Sequence, residues 1–146
     1  MAKLHAWLQQ RGFSLRVIPN AVDRVVLLAE GGGEVTLDRT RPAANRICTL
    51  LHECGHVIVD ARRRAVRATR RRHAGATLRE VFHGTGRLRP RRLACDLAEL
   101  HEELEAWEAG EALARRLKVR FSRATFERER AQALMTYVRA TARTRR

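Results

Sequence analysis

Residues 43–61 carry apolar side chains at helical spacing, and within that stretch lies His52-Glu53-Cys54-Gly55-His56. No other feature restricts the fold so tightly. At about 100° per residue, His52 and His56 sit about 40° apart and one turn along a helix, so both imidazoles can reach a single ion. Ile47, Leu50, Leu51, Cys54, Val57 and Ile58 fall on the opposite arc, which predicts a helix anchored by one face and presenting two histidines on the other. Neutral imidazole suits Zn²⁺. Glu53 projects about 100° from His52, where a carboxylate can take a proton from an activated water. Cys54 lies on the apolar arc, so a buried core thiol is expected there rather than a ligand. H-E-x-x-H also arises by chance; the helical context is what gives it weight.

Around this helix the pattern predicts an α+β fold. A short amphipathic helix over residues 2–11 carries Leu4, Trp7 and Leu8 on one side, and Gly12 ends it. Strands are predicted over 13–18, 25–29 and 34–37, with Pro19-Asn20 closing the first and Gly31-Gly32-Gly33 turning between the second and third. Chain-adjacent strands with short connections predict a small antiparallel sheet. Pro42 stands at the start of the motif helix. Two further long helices are expected over 93–117 and 123–142, the last with Phe126, Leu134 and Val138 facing the core. No internal repeat is present. The 146 residues read as a single domain, with an Arg-rich insert at 62–92 and a frayed basic tail at 141–146.

Composition excludes several classes. No apolar run approaches the roughly 20 residues needed to cross a bilayer, and the N-terminal dozen residues lack the apolar stretch of a secretory signal. Cys48, Cys54 and Cys95 form no CxxC pair, which removes a thiol-rich zinc ribbon and points to reduced thiols in a cytoplasm. The formal charge is +14. Arg outnumbers Lys 28 to 2, a bias that GC-rich coding produces as readily as a need for guanidinium chemistry. Residues 60–92 hold twelve Arg against Asp60 and Glu80, whereas 96–111 hold seven acidic residues and no Lys or Arg. A solvated basic surface balancing an acidic helix is the plain reading. A nucleic-acid contact through Arg62, Arg63, Arg64, Arg67, Arg70, Arg71 and Arg72 is the alternative, although Phe82 is the insert's only aromatic for base stacking.

A tetrahedral catalytic zinc needs a third protein ligand. On the acidic helix, Glu105 shares its side with Ala98, Glu102, Ala109 and Ala112, small residues that permit close approach. Glu103 points about 160° away, toward Glu99 and Gly110. Glu105 is therefore the expected ligand, with Glu102 and His101 as alternatives. Tyr137, His73 and His83 are weaker candidates for stabilising an oxyanion.

The stretch from Ile47 through His52-Glu53-Cys54-Gly55-His56 to Ile58 resembles the active-site helix of small zincin metallopeptidases. Glu102-Glu103-Leu104-Glu105-Ala106-Trp107-Glu108-Ala109-Gly110, with Leu134-Met135-Thr136-Tyr137-Val138-Arg139, is similar to metallopeptidases encoded by bacteriophages and prophages, and more distantly to the regulatory peptidases that cleave phage repressors. The resemblance covers residues 34–60 and 96–140. It implies a minimal zincin-like domain with a gluzincin-like site: His52, His56 and Glu105 as zinc ligands, Glu53 as general base, and a peptide or protein as substrate. In such folds a strand like residues 34–37 binds an extended peptide by edge pairing. The chain departs from the pattern in its Arg-rich insert and in His101. The competing expectation is a zincin-fold module that binds nucleic acid or a phage protein through the insert, with structural zinc or none. A virion component with a vestigial site is a third.

Overall fold

The computed structural model describes the backbone of residues 1–73 and 88–143 and the side chains of residues 1–66 and 97–139. The described chain is α+β, with four helices and a three-stranded sheet. Helix α1 spans Ala2–Gln9; strands β1, β2 and β3 span Phe13–Ile18, Arg24–Leu27 and Gly33–Asp38; helices α2, α3 and α4 span Ala43–His73, Leu88–Leu117 and Arg123–Arg143.

The sheet is mixed, not antiparallel. Its order is β1-β3-β2, with β1 parallel to β3 (Leu15 opposite Val35) and β2 antiparallel to β3 (Val25 opposite Val35). The expected hairpin between β2 and β3 forms, and its glycines at positions 31, 32 and 33 all have positive φ, a region that side chains disfavour. What adjacency in the sequence misjudged is the place of β3. Val35 and Leu37 are fully buried, so β3 takes the centre, while β1 and β2 alternate toward solvent and become edges. The consequence for the site is direct: the strand over 34–37 has both edges occupied, and β2 is the free edge nearest the histidines.

Helix α2 is the hub, packing against α1, β2, β3, α3 and α4. Its apolar arc behaves as predicted: Leu50, Leu51 and Cys54 are fully buried, with Val57 close behind. The helix does not stop near residue 61 but continues through the arginine run to His73. The cause is local, since Arg and Ala are strong helix formers and no Gly or Pro intervenes before Gly75. Pro90 likewise does not break structure. It is the third residue of α3, where its missing N–H has no intrahelical partner to lose. Of the expected insert at 62–92, only residues 74–87 fall outside the described backbone. In α4, Ser122 Oγ accepts the backbone N–H of Thr125 and caps the start. Phe126 is fully buried as expected, but Leu134 is only half-buried and Val138 is exposed, because the upper part of α4 faces a cavity and solvent instead of the core. That helix continues to Arg143; residues 144–146 of the expected basic tail, like the side chain of Cys95, lie outside the described residues. No helix among the described residues is long and apolar enough to span a membrane.

Helices α2 and α3 run antiparallel and unusually close. A methyl group at Gly55 would meet the carbonyl of Ala106, and one at Gly110 would meet the carbonyl of Leu51. Each glycine lets the other helix's backbone occupy the space of a side chain. Gly55→Ala and Gly110→Ala are each expected to destabilise the protein by about 3 kcal/mol, since the blocking group is backbone and cannot swing aside. Urea denaturation of the two variants beside the wild type checks this, and an unchanged midpoint would refute the close packing.

Candidate metal centre

One turn of α2 sets His52 and His56 side by side, their ring centroids 4.6 Å apart. Across the narrow gap, α3 presents Glu103. Its Oε2 accepts from His52 Nε2 at 3.0 Å, and its Oε1 lies 3.3 Å from His56 Nε2. These donor atoms all lie within 4.8 Å of one another. A tetrahedral ion with bonds of about 2.1 Å holds its ligands about 3.4 Å apart, so the three side chains fit a small divalent cation. All three are mostly buried, with 12 %, 15 % and 13 % of their side-chain surface exposed.

The surroundings fix these three side chains in place. Trp107, one turn beyond Glu103, stacks on the His52 ring at 4.3 Å with planes 10° apart. It is held in turn by an edge contact with Phe126 of α4. Glu53 is buried, with Oε1 3.6 Å from His52 Nδ1. Tyr137 of α4 is hydrogen-bonded to Glu103; burial, then that carboxylate, pushes its hydroxyl well above the usual tyrosine range. A cavity of about 640 Å³ opens over the histidines, walled by β2 (Arg24, Val25 and Leu27) on one side and by α4 on the other.

A second polar cluster in the same wall escaped sequence reasoning altogether. Arg41 donates to Asp23 Oδ2 at 2.6 Å, to Thr49 Oγ1 at 3.1 Å and to Glu129, and Asn45 Nδ2 donates to Glu129 Oε1 at 2.6 Å. It joins the approach to β2, the first turns of α2 and the middle of α4, closing the cavity opposite α3. Its partners are 18, 8 and 88 residues away along the chain, and nothing in the local pattern marks them.

The histidines come together as expected, with Glu53 beside them. The carboxylate that joins them is Glu103, and not Glu105. Glu105 lies 3.3 Å from Arg63 Nη2 and 3.7 Å from His101 Nδ1, with 42 % of its side chain exposed. Glu102 also pairs with Arg63 and reaches only the cavity rim, and His101 is exposed. The reason is the helix packing. Glu103, Ala106 and Gly110 share one face of α3, and that face is pressed onto α2; the alanine side that favoured Glu105 looks elsewhere. Gly110, seven residues after Glu103, was the usable signal, because a glycine permits closer approach than any alanine. Of the seven arginines offered to nucleic acid, Arg63 is tied to Glu102 and Glu105, and Arg64 to Asp60 and to the carbonyls of Leu28 and Ala29. The side chains of Arg67, Arg70, Arg71 and Arg72, and those of His73 and His83, lie outside the described residues.

The titration of the cluster follows from this geometry. Burial opposes charge on His52, but Glu103 and Glu53 outweigh it and lift its pKa to about 9. Burial likewise opposes charge on Glu103, but hydrogen bonds from His52 and His56 hold it far below the usual carboxylate range. Without a metal, a proton on His52 thus does the work of the cation. Burial, then the Glu53 charge, keeps the Cys54 thiol protonated, which agrees with its place in the core.

No protein-family model, curated protein or solved structure matches this chain.

Two outcomes are expected. Glu103→Ala should weaken divalent-metal binding by more than the roughly 10–100-fold that loss of an outer partner costs, whereas Glu105→Ala should leave it unchanged; competition with a chromophoric chelator measures both. In the metal-free protein, folded His52 keeps its proton up to about pH 9, whereas the unfolded chain releases it near 6.5. The folded state therefore binds more protons in that window, and stability should fall as pH rises through it. Metal affinity should rise over the same window, by about tenfold per pH unit for one displaced proton. Denaturation midpoints compared with Glu103→Gln, which lacks the pairing, test the sign.

Proposed function

We propose that this protein is a zinc-dependent peptidase that hydrolyses a peptide bond with Glu53 as general base. The observation that carries this reading is the convergence of His52, His56 and Glu103 on one point, with a second carboxylate, Glu53, beside them at the floor of an open cavity. Two imidazoles and one carboxylate form the donor set of many hydrolytic zinc sites, and zinc bound there would polarise a carbonyl and lower the pKa of a water. The resemblance of the motif helix to zincin metallopeptidases points the same way, with Glu103 taking the place first given to Glu105.

The chain's own groups have definable tasks. Glu53 is fixed next to the ligands and buried from bulk water, so it can accept a proton and return it to a leaving amine. Trp107 holds the His52 ring plane and shields that side from solvent. Tyr137, at the cavity wall, is hydrogen-bonded to Glu103 and helps to orient that carboxylate toward the histidines. The unpaired edge of β2 runs along the cavity and offers backbone donors and acceptors to an extended peptide.

Glu53→Gln should retain the metal and lose at least about a hundredfold in peptide hydrolysis, the usual contribution of a positioned base. Cleavage of quenched fluorescent peptides by the zinc-loaded variant, beside a direct metal assay, decides the matter. Undiminished turnover would reject the mechanism.

A further inference from the structure

On the side of α2 turned away from the histidines lies a second groove, of about 520 Å³, formed where α1, α2 and α3 meet. Its α2 residues sit about 180° around the helix from His52 and His56, so it is separate from the metal centre. The floor is apolar: Trp7, Val57 and Leu113 form its buried base, and the partly buried Ile58 with the exposed Ala61, Ala65 and Ala112 supply the apolar surface open to a ligand. Alanines line the walls on both long helices, at positions 61 and 65 of α2 and 109 and 112 of α3.

The rim is cationic. Arg11, in the turn after α1, Arg62 of α2 and Arg116 of α3 border the groove, and no acidic residue lines it among the described residues. Arg62 and Arg116 are exposed and make no ion pair among the described residues. This contrasts with Arg41, Arg63, Arg64 and Arg123, each satisfied by carboxylates. Arg11 lies over the Trp7 ring at 4.1 Å and donates to the Trp7 carbonyl, and has no carboxylate partner among the described residues. The Trp7 Nε1 has no acceptor among them either.

We infer that this groove binds an acidic peptide segment, with an apolar side chain on the floor and carboxylates on the three guanidinium groups. Planar guanidinium matches carboxylate in paired hydrogen bonds. The open apolar surface of Ile58, Ala61, Ala65 and Ala112 decides between a peptide and a nucleic acid. A phosphodiester chain would leave it uncovered, and Trp7 cannot serve as a stacking platform, being 5 % exposed and already faced by Arg11. The volume falls in the range of ligand sites, roughly 300–1,000 Å³. The peptide docks as a helix or strand laid between the two long helices, independently of any reaction at the histidines.

The test uses the full chain and a fluorescein-labelled peptide with leucines at helical spacing flanked by glutamates, read by fluorescence anisotropy. Arg62→Ala with Arg116→Ala, both exposed and neutral to the fold, should weaken binding by about tenfold or more. Replacing the peptide's glutamates with glutamine should do the same. Ala112→Trp, which fills the groove from an exposed position, should abolish binding while circular dichroism and metal uptake stay unchanged. His52→Ala should leave the affinity intact. Binding that ignores the arginine and Ala112 variants, or that falls with His52→Ala, overturns the proposal. So does an oligothymidylate of equal charge that competes as strongly through the same arginines.

Discussion

Two backbone contacts between α2 and α3 govern the rest of the structure: Gly55 against the Ala106 carbonyl and Gly110 against the Leu51 carbonyl. Helices normally meet through side chains, which keep their axes about 8–10 Å apart. Here each helix gives up a side chain so that the other's main chain can come in. The Glu103 carboxylate, one turn from Ala106, then reaches both imidazoles, which lie side by side next to the Gly55 contact. Trp107 reaches the His52 ring for the same reason. A larger residue at either glycine would push α3 outward, and hydrogen bonds of 3.0 and 3.3 Å tolerate little displacement.

Charge is divided in the molecule by location. The chain is strongly basic, yet the cavity over the histidines is bordered by Asp23, Glu53, Glu102, Glu103 and Glu129. Carboxylates so placed need cationic partners, since a buried unpaired charge is costly. Arg41 serves Asp23 and Glu129, Arg63 serves Glu102, and protonated His52 serves Glu103. The last pairing alone uses a group that releases its proton within an accessible pH range, near pH 9. The first two are permanent: Arg41 ties the approach to β2 to α4, and Arg63 ties α2 to α3 at the cavity rim.

Much of the fold was legible because local rules were obeyed. The amphipathic arc of α2, the glycine turn before β3 and the burial of Leu4, Trp7 and Leu8 on α1 follow from residue type and spacing. The misreadings share one cause. Sheet order, the exposure of Val138 and the choice between Glu103 and Glu105 depend on which faces meet, and periodicity within one element carries no information about its neighbour. The length of α2 was underestimated for another reason: the apolar periodicity fades near residue 61, although arginine and alanine propagate a helix well up to His73.

By itself the sequence determined that two imidazoles would stand one turn apart on a buried helix with a carboxylate beside them, because helical pitch and apolar spacing leave no other arrangement for residues 47–58. It also set the two glycines that make close packing affordable. Only the tertiary structure decided which acidic side chain completes the cluster, which strand offers its edge to the cavity, and that Arg41 joins residues far apart in the chain. Those outcomes turn on how helices and strands are rotated and ordered against one another, and that order is chosen by the burial of the whole core rather than by any one segment.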